Sequence, residues 1–356
     1  MRVLIINTMP FYRNGVTQHI LNYFAALKDQ IQLDVVGNSM AAPDVAAQIT
    51  APAKLTILPN RKRHMVAYVK QLQTLVAAGD YDLIHIHGNS ALMLLELLAL
   101  HRFPAERIIV HNHAILSNYP LLNKVLHKPF LHYVHNAFSS SEAGGKWLYR
   151  EIPFTIIPNG IDLAKNTYSP EWRATKRAEL GLTDEFVLLS IAVATQQKNK
   201  AFLLDIFAAL HAKLPHSRLI MIGDGPLQTE LKEQAKTLNI DEHISWIIET
   251  DTPEQFYSVA DAFVFPSLYE SPGMVAIEAQ VSHLPVLASQ AVPQVTHLSD
   301  QISYLPLTAI QPWVEQLIKI NAQVTNRTLL PDKRLQAFDI RVNAQNLVNL
   351  YSTIIK

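Results

Sequence analysis

One stretch, residues 261–289 (DAFVFPSLYESPGMVAIEAQVSHLPVLAS), constrains the fold more than any other. Residues 262–265 are a short apolar run, the pattern of a parallel strand buried on both faces. Pro266 stops it, and a polar loop follows with Glu270, Ser271, Pro272 and Gly273. Met274, Val275, Ile277 and Val281 recur at helical spacing, and residues 284–287 start a further strand. Strand, loop, helix and strand in that order predict an open α/β sheet, which binds ligands beyond the carboxyl ends of its strands. Glu270 precedes the predicted helix and Glu278 lies within it. At a rise of about 1.5 Å per residue they span roughly 12 Å at most, enough to hold opposite ends of one elongated ligand. Backbone N–H groups near Gly273 and Met274 sit at the positive end of that helix, where phosphate is favoured. By chemistry alone, a capping Glu270 and a solvent-facing Glu278 account for the pair equally well.

The rest of the chain repeats the pattern. Its 356 residues suit two α/β domains better than one core. In the first series, strands are expected at 3–6, 33–36, 55–58, 83–86, 108–110 and 154–157, and another ends at Phe138. Helices are expected after Gly15, over 65–76 and 91–100, and from a Ser141 cap through Trp147. Pro158-Asn159-Gly160 is a turn signal. Residues 161–182 are polar and interrupted by Pro170, which places a domain boundary there: 1–170, then 171–332, with 333–356 as a long terminal helix. The second series has strands at 186–191, 219–222 and 244–248, helices over 201–214 and up to Leu238, and a Gly223-Asp224-Gly225-Pro226 turn. Two sheets of this kind are expected to face each other across a cleft.

Composition excludes several classes. Thirty basic residues balance thirty acidic ones, so nothing steers the chain toward nucleic acid. Cysteine is absent, which removes disulfides, thiolate nucleophiles and thiolate metal ligands. No apolar run approaches the roughly 20 residues that span a bilayer, and the N-terminus lacks a signal-peptide pattern. The expected location is the cytoplasm, with contact to a membrane surface left open. Arg61, Lys62, Arg63 and His64, the densest basic cluster, are expected to be a solvated loop.

Polar residues gather at the predicted strand ends. Gly15 follows the first strand, without the GxGxxG spacing of a dinucleotide site. His85 and His87 close one strand, and His111 and His113 follow another. Their spacing matches no HExxH or comparable metal motif, so hydrogen bonding to a polar substrate or to cleft backbone is expected rather than a metal. Lys198 and Asn199 open a helix after residue 192, where a lysine can neutralise phosphate. P-loop, GxSxG and kinase motifs are absent.

Taken together, these residues resemble a retaining glycosyltransferase of the GT-B fold, glycosyltransferase family 4, from the capsule and exopolysaccharide branch. The likeness runs through FSSSEAGGKWLY (138–149), FTIIPNGID (154–162), QQKN (196–199), IGDGP (222–226), FPSLYESPGMVAIEAQ (265–280) and FDI (338–340). Glu270 and Glu278 match the family's E-x7-E pair, NGVT (14–17) a GGxE-like loop, and HNH (111–113) the cleft histidine. The resemblance implies two Rossmann-like domains, with a last helix crossing back onto the first. It implies that Glu270 orients the donor sugar and that Glu278 holds the ribose. Lys198 would hold the diphosphate, with Ser271, Gly273 and Met274 around sugar and phosphates. His113 would contact the transferred sugar and assist the reaction, with His111 as the alternative; Gly15, His87 and His111 would line the acceptor and diphosphate side. The implied substrates are a UDP-linked hexose donor, with no metal required, and a saccharide or lipid-linked saccharide acceptor. The implied setting is surface polysaccharide synthesis, with transient inner-membrane contact or a partner transferase.

Several positions depart from the family pattern. Ala192-Val193 stands where relatives carry Gly-Arg, Asn14 replaces a loop glycine, Thr17 a glutamate and His283 a glycine. Loss of one transition-state donor costs on the order of 3 kcal/mol. A noncatalytic homologue supporting an active transferase is therefore the alternative, and a nucleotide-sugar epimerase a more remote one.

Overall fold

A computed structural model describes residues 1–270, 273–323, 327 and 332–356. It contains two compact units, Met1–Ile161 with Phe338–Lys356, and Asp162–Ala337.

Among the described residues, the first unit carries a seven-stranded sheet, all of its pairs parallel. Its strands are β1 Arg2–Asn7, β2 Gln32–Asn38, β3 Leu55–Leu58, β4 Leu83–Gly88, β5 Ile108–Asn112, β6 Asn136–Ser139 and β7 Phe154–Ile156. The order β3-β2-β1-β4-β5-β6-β7 reverses direction at the β1–β4 junction, the kind of switch point where open α/β sheets bind ligands. Alternate residues of β1 feed opposite faces, as a period of two requires. Val3 and Ile5 join one core with Phe24, Val35 and Leu347, while Leu4 and Ile6 join the other with Ile84, Ile86 and Val110.

In the second unit, β8 Phe186–Ile191, β9 Ser217–Ile222, β10 Ile244–Ile247, β11 Ala262–Phe265, β12 Val286–Ser289 and β13 Ile302–Leu305 form a six-stranded parallel sheet among the described residues. Its order, β10-β9-β8-β11-β12-β13, puts the switch point at the β8–β11 junction. Leu188, Leu203, Phe207 and Trp313 pack on one face; Val187, Tyr257, Phe263 and Ala276 pack on the other.

Several local expectations are corrected. The terminal helix begins only at Ile340, because Asp339 caps it by accepting from Arg341 N; Lys333–Phe338 is a 3-10 helix. Ile340–Ile354 packs against helix Gly15–Leu27 within the first unit. Residues 91–93 form a 3-10 turn ahead of a short helix Leu94–Ala99. Helix Pro120–Tyr133 carries an internal Pro129, and it is absent from the sequence reading because proline reads as a breaker. Pro170 does not interrupt a loop: it opens helix Pro170–Glu179, with Ser169 accepting from Trp172 N. Arg61 is not solvated either. It is 7% exposed and donates to buried Glu96 at 2.7 Å, and Tyr68 donates to the other oxygen of that carboxylate at 2.9 Å. Among the described residues, no helix is long and apolar enough to cross a membrane.

Candidate functional site

In the second unit, the loops after β8 and β11 are tied side by side. Leu268 N donates to Gln197 O at 2.8 Å, Gln197 Nε2 to Tyr269 O at 2.9 Å and Asn199 Nδ2 to Pro266 O at 3.2 Å. Asn199 sits at φ 51°, in the left-handed region that asparagine tolerates better than most residues. This turn aims Lys198 across the gap, and its Nζ donates to Glu270 Oε1 at 2.6 Å. Glu270 is therefore an ion-pair partner, and 8% exposed, rather than a helix cap.

Gly273 precedes helix Met274–Val281, and its lack of a side chain has a clear cause: an added Cβ would lie 2.4 Å from the Phe265 ring. The chain thus passes tightly over the end of β11 and leaves backbone N–H groups at the helix start. One turn further on, Glu278 accepts from the Tyr257 hydroxyl at 2.7 Å. Close packing around its carboxyl raises its pKa above the ordinary glutamate value, partly offset by the Tyr257 bond. A partly exposed carboxylate pinned by a buried tyrosine can receive two adjacent hydroxyls. Ser271 lies outside the described residues.

The loop bearing Val193 is held from below. Ala194 N donates to Asp224 O at 2.9 Å and Leu227 N to Ala194 O at 3.1 Å. Gly223, at φ 109°, passes so close that a Cβ there would stand 2.2 Å from Ala192 O. Val193 itself is 56% exposed. Nearby Lys200 is buried and donates to the Ile222 and Gly223 carbonyls, and burial pulls its pKa down to about 8.

The first unit collects histidines around the carboxyl ends of β4 and β5. Parallel register sets His85 beside Ile109 and His87 beside His111. His87 Nδ1 and His113 Nε2 share a hydrogen bond at 2.9 Å, and His85 Nε2 and His111 Nδ1 share one at 3.2 Å. Burial first, and neighbouring histidines second, hold all four rings well below the usual histidine range. They are neutral at pH 7, able both to donate and to accept. His113 is the partly exposed member, whereas His111 is fully buried. Gly15 is exposed at the start of its helix, and a Cβ there would meet nothing within 4 Å. Asn14 caps that helix through Val16 N and Thr17 N, and Thr17 Oγ1 accepts from both Asn7 and Asn14 at 3.0 Å. The two replaced loop residues thus satisfy one another. His283 stands at φ 48°, in the left-handed region that glycine adopts without strain.

Residues 13–165 match the family model Glycosyltransferase Family 4, and residues 173–300 match Glycosyl transferases group 1. The chain is a glycosyltransferase of this type. Lys198, Glu270, Gly273, Met274 and Glu278 fall in its group 1 segment, and Gly15, His87, His111 and His113 in its family 4 segment. The glycosyltransferase is 24% identical over 362 residues to a Bacillus subtilis (strain 168) protein carrying the name glycosyltransferase EpsF, covering 96% of this chain and 94% of EpsF. It is 25% identical to an Escherichia coli UDP-Gal:alpha-D-GlcNAc-diphosphoundecaprenol alpha-1,3-galactosyltransferase, over 81% of this chain and 79% of that one. Among solved structures, Anabaena HepE in complex with UDP-glucose superposes with a TM-score of 0.80 at 17% identity, over 99% of this chain and all of HepE. The fold is GT-B.

Two neighbours of the expected site residues went unanticipated from sequence. Tyr257, which pins Glu278, carries no local signal, since the contact joins separate helices. His19 joins the histidine group from the first helix, its ring 4.6 Å from that of His113. It lies in step with Val16, Ile20 and Tyr23 on the buried helix face, a spacing that could have placed it there but not beside the other histidines.

Proposed function

We propose that this glycosyltransferase is retaining and moves a hexose from a UDP-linked donor to a saccharide acceptor, lipid-linked, in surface polysaccharide synthesis. The Lys198–Glu270 pair beside the start of helix Met274–Val281, with Tyr257-pinned Glu278 one turn on, carries this reading. Lys198 and the backbone N–H groups at Gly273 and Met274 bind the diphosphate and stabilise the charge that grows on it as the glycosidic bond breaks. Glu270 accepts from hydroxyls of the sugar, and Glu278 from those of the ribose. Neutral His113, the partly exposed member of its group, hydrogen-bonds to the transferred sugar, with His87, His111 and Gly15 on the acceptor and diphosphate side. The UDP-glucose complex of HepE and the lipid-linked acceptor in the name of the Escherichia coli enzyme support the substrate classes. Helix Pro120–Tyr133 exposes Leu121 and Val125 beside Lys124 and Lys128, which suits contact with an anionic membrane surface.

Exposed Val193 favours one second reading, a noncatalytic homologue that supports an active transferase. Calorimetric titration with UDP-, GDP- and ADP-sugars, alongside slow donor hydrolysis, separates the two. Saturable binding and turnover of a UDP-sugar, weakened by Glu278→Ala and Lys198→Ala, are expected. Silence across the panel with folded protein points to the partner role.

A further inference from the structure

The histidine group of the first unit is denser than hydrogen bonding to a sugar requires. His19, His87, His111 and His113 each present a ring nitrogen, and these four atoms all lie within 4.8 Å of one another. Three of the four rings are buried and the fourth is partly exposed. Nε2 of His19 and Nε2 of His111 are buried and lack a hydrogen-bond partner among the described residues. These side chains are 2% and 0% exposed, so water does not complete them freely. His85 shows the satisfied alternative, with Nδ1 on the Tyr351 hydroxyl at 2.6 Å and Nε2 on His111 Nδ1 at 3.2 Å.

We propose that His19, His87, His111 and His113 bind one divalent transition-metal ion of the zinc class in an all-imidazole site. In a tetrahedral zinc site, ligand nitrogens stand about 3.4 Å apart, given metal–nitrogen bonds of about 2.05 Å. From the present arrangement, nitrogens as much as 4.8 Å apart would close toward that value, while His87 and His113, now 2.9 Å apart, would open slightly and exchange their hydrogen bond for two metal bonds. The donor chemistry selects the ion. Imidazole nitrogen without carboxylate or carbonyl oxygen suits zinc, cobalt, nickel or copper, and disfavours magnesium and calcium. The rings also carry the outer contacts that orient metal ligands. His19 Nδ1 faces Asn159 Oδ1 at 2.9 Å, and His111 Nδ1 faces His85, itself held by Tyr351. With both Nδ1 atoms engaged, the free Nε2 atoms are left for the ion. The site does not rest on the transferase reading. Where both hold, the ion takes the lone pair of His113 and slows sugar transfer.

The test uses the full chain, free of any affinity tag and stripped with a chelator, titrated with ZnCl2 and with CoCl2. Expected are one equivalent of Zn2+ by calorimetry and the intense visible bands of tetrahedral Co2+. Affinity should fall at least tenfold in His19→Gln and in His111→Gln. It should be unchanged in His243→Gln, which breaks the separate His211–His243 pair, whose rings lie 4.0 Å apart. X-ray absorption at the zinc edge of the wild-type protein needs no variant, and should count four nitrogens at about 2.0 Å. The absence of saturable binding, an oxygen-dominated shell, wild-type affinity in both cluster variants, or loss in His243→Gln would each overturn the site. UDP-sugar calorimetry on the stripped chain reads the donor site separately.

Discussion

Replacing Lys198 by alanine should weaken both the second unit and its grip on diphosphate, whereas replacing Glu270 by glutamine should separate these two effects. The Lys198 Nζ to Glu270 Oε1 bond is 2.6 Å long, and the side chains are 22% and 7% exposed. A charge-assisted hydrogen bond contributes about 1.5–3 kcal/mol. Stranding a fully buried partner costs about 3–5 kcal/mol, and water reaching the lysine side reduces that here. Lys198→Ala should therefore cost about 2 kcal/mol. Glu270→Gln, which keeps a neutral acceptor, should cost about 1 kcal/mol, and the double variant should show a coupling of about 1 kcal/mol. Equilibrium urea unfolding followed by tryptophan fluorescence reads this, because Trp172, Trp246 and Trp313 all lie in the second unit. The diphosphate result has opposite signs for the two variants. With UDP alone, Lys198→Ala should bind at least tenfold more weakly. Glu270→Gln should bind as tightly as wild type or more so, since the lysine no longer leaves a carboxylate to reach phosphate. Additive stability effects, or UDP binding lost more in Glu270→Gln than in Lys198→Ala, would refute the reasoning.

Three further outcomes can be checked together. Glu278→Gln should abolish nucleotide-sugar binding by calorimetry yet raise the melting temperature at pH 7–8. The raised Glu278 pKa means the folded state bears a penalty above that pKa that vanishes below the ordinary glutamate value, so the gain should fade as pH falls toward 4.5 in a pH series of melts. Arg61→Ala should destabilise the first unit by about 3–5 kcal/mol in urea titrations, because it leaves Glu96, fully buried, without its cation. Gly223→Ala should cost about 3 kcal/mol by the same assay, from a positive φ and a Cβ pressed on the Ala192 carbonyl; a loss under 1 kcal/mol would mean the 192–194 loop yields easily.

The sequence by itself determined the two alternating α/β series, because buried parallel strands are written as short apolar runs and their helices as 3.6-residue periodicity. It also marked Glu270 and Lys198 as candidates, since residues at strand ends and helix starts are flagged by punctuation such as Pro266 and Gly273, and Glu278 by its spacing from Glu270. It placed the polar stretch at 161–182 but not the helix within it, because Pro170 reads as a breaker and acts as a first-turn residue. What only the tertiary structure decided are the contacts between elements. The Lys198–Glu270 pair joins loops 72 residues apart, and Tyr257 reaches Glu278 from another helix. The histidine group shows the same limit most clearly. Spacing along the chain argued against a metal, since the pairs at 85/87 and 111/113 match no motif. Parallel register laid β4 beside β5, and a helix then delivered His19 to them, so that four nitrogens meet. Local spacing records which face a residue takes, whereas convergence depends on register and packing, which sequence periodicity does not encode.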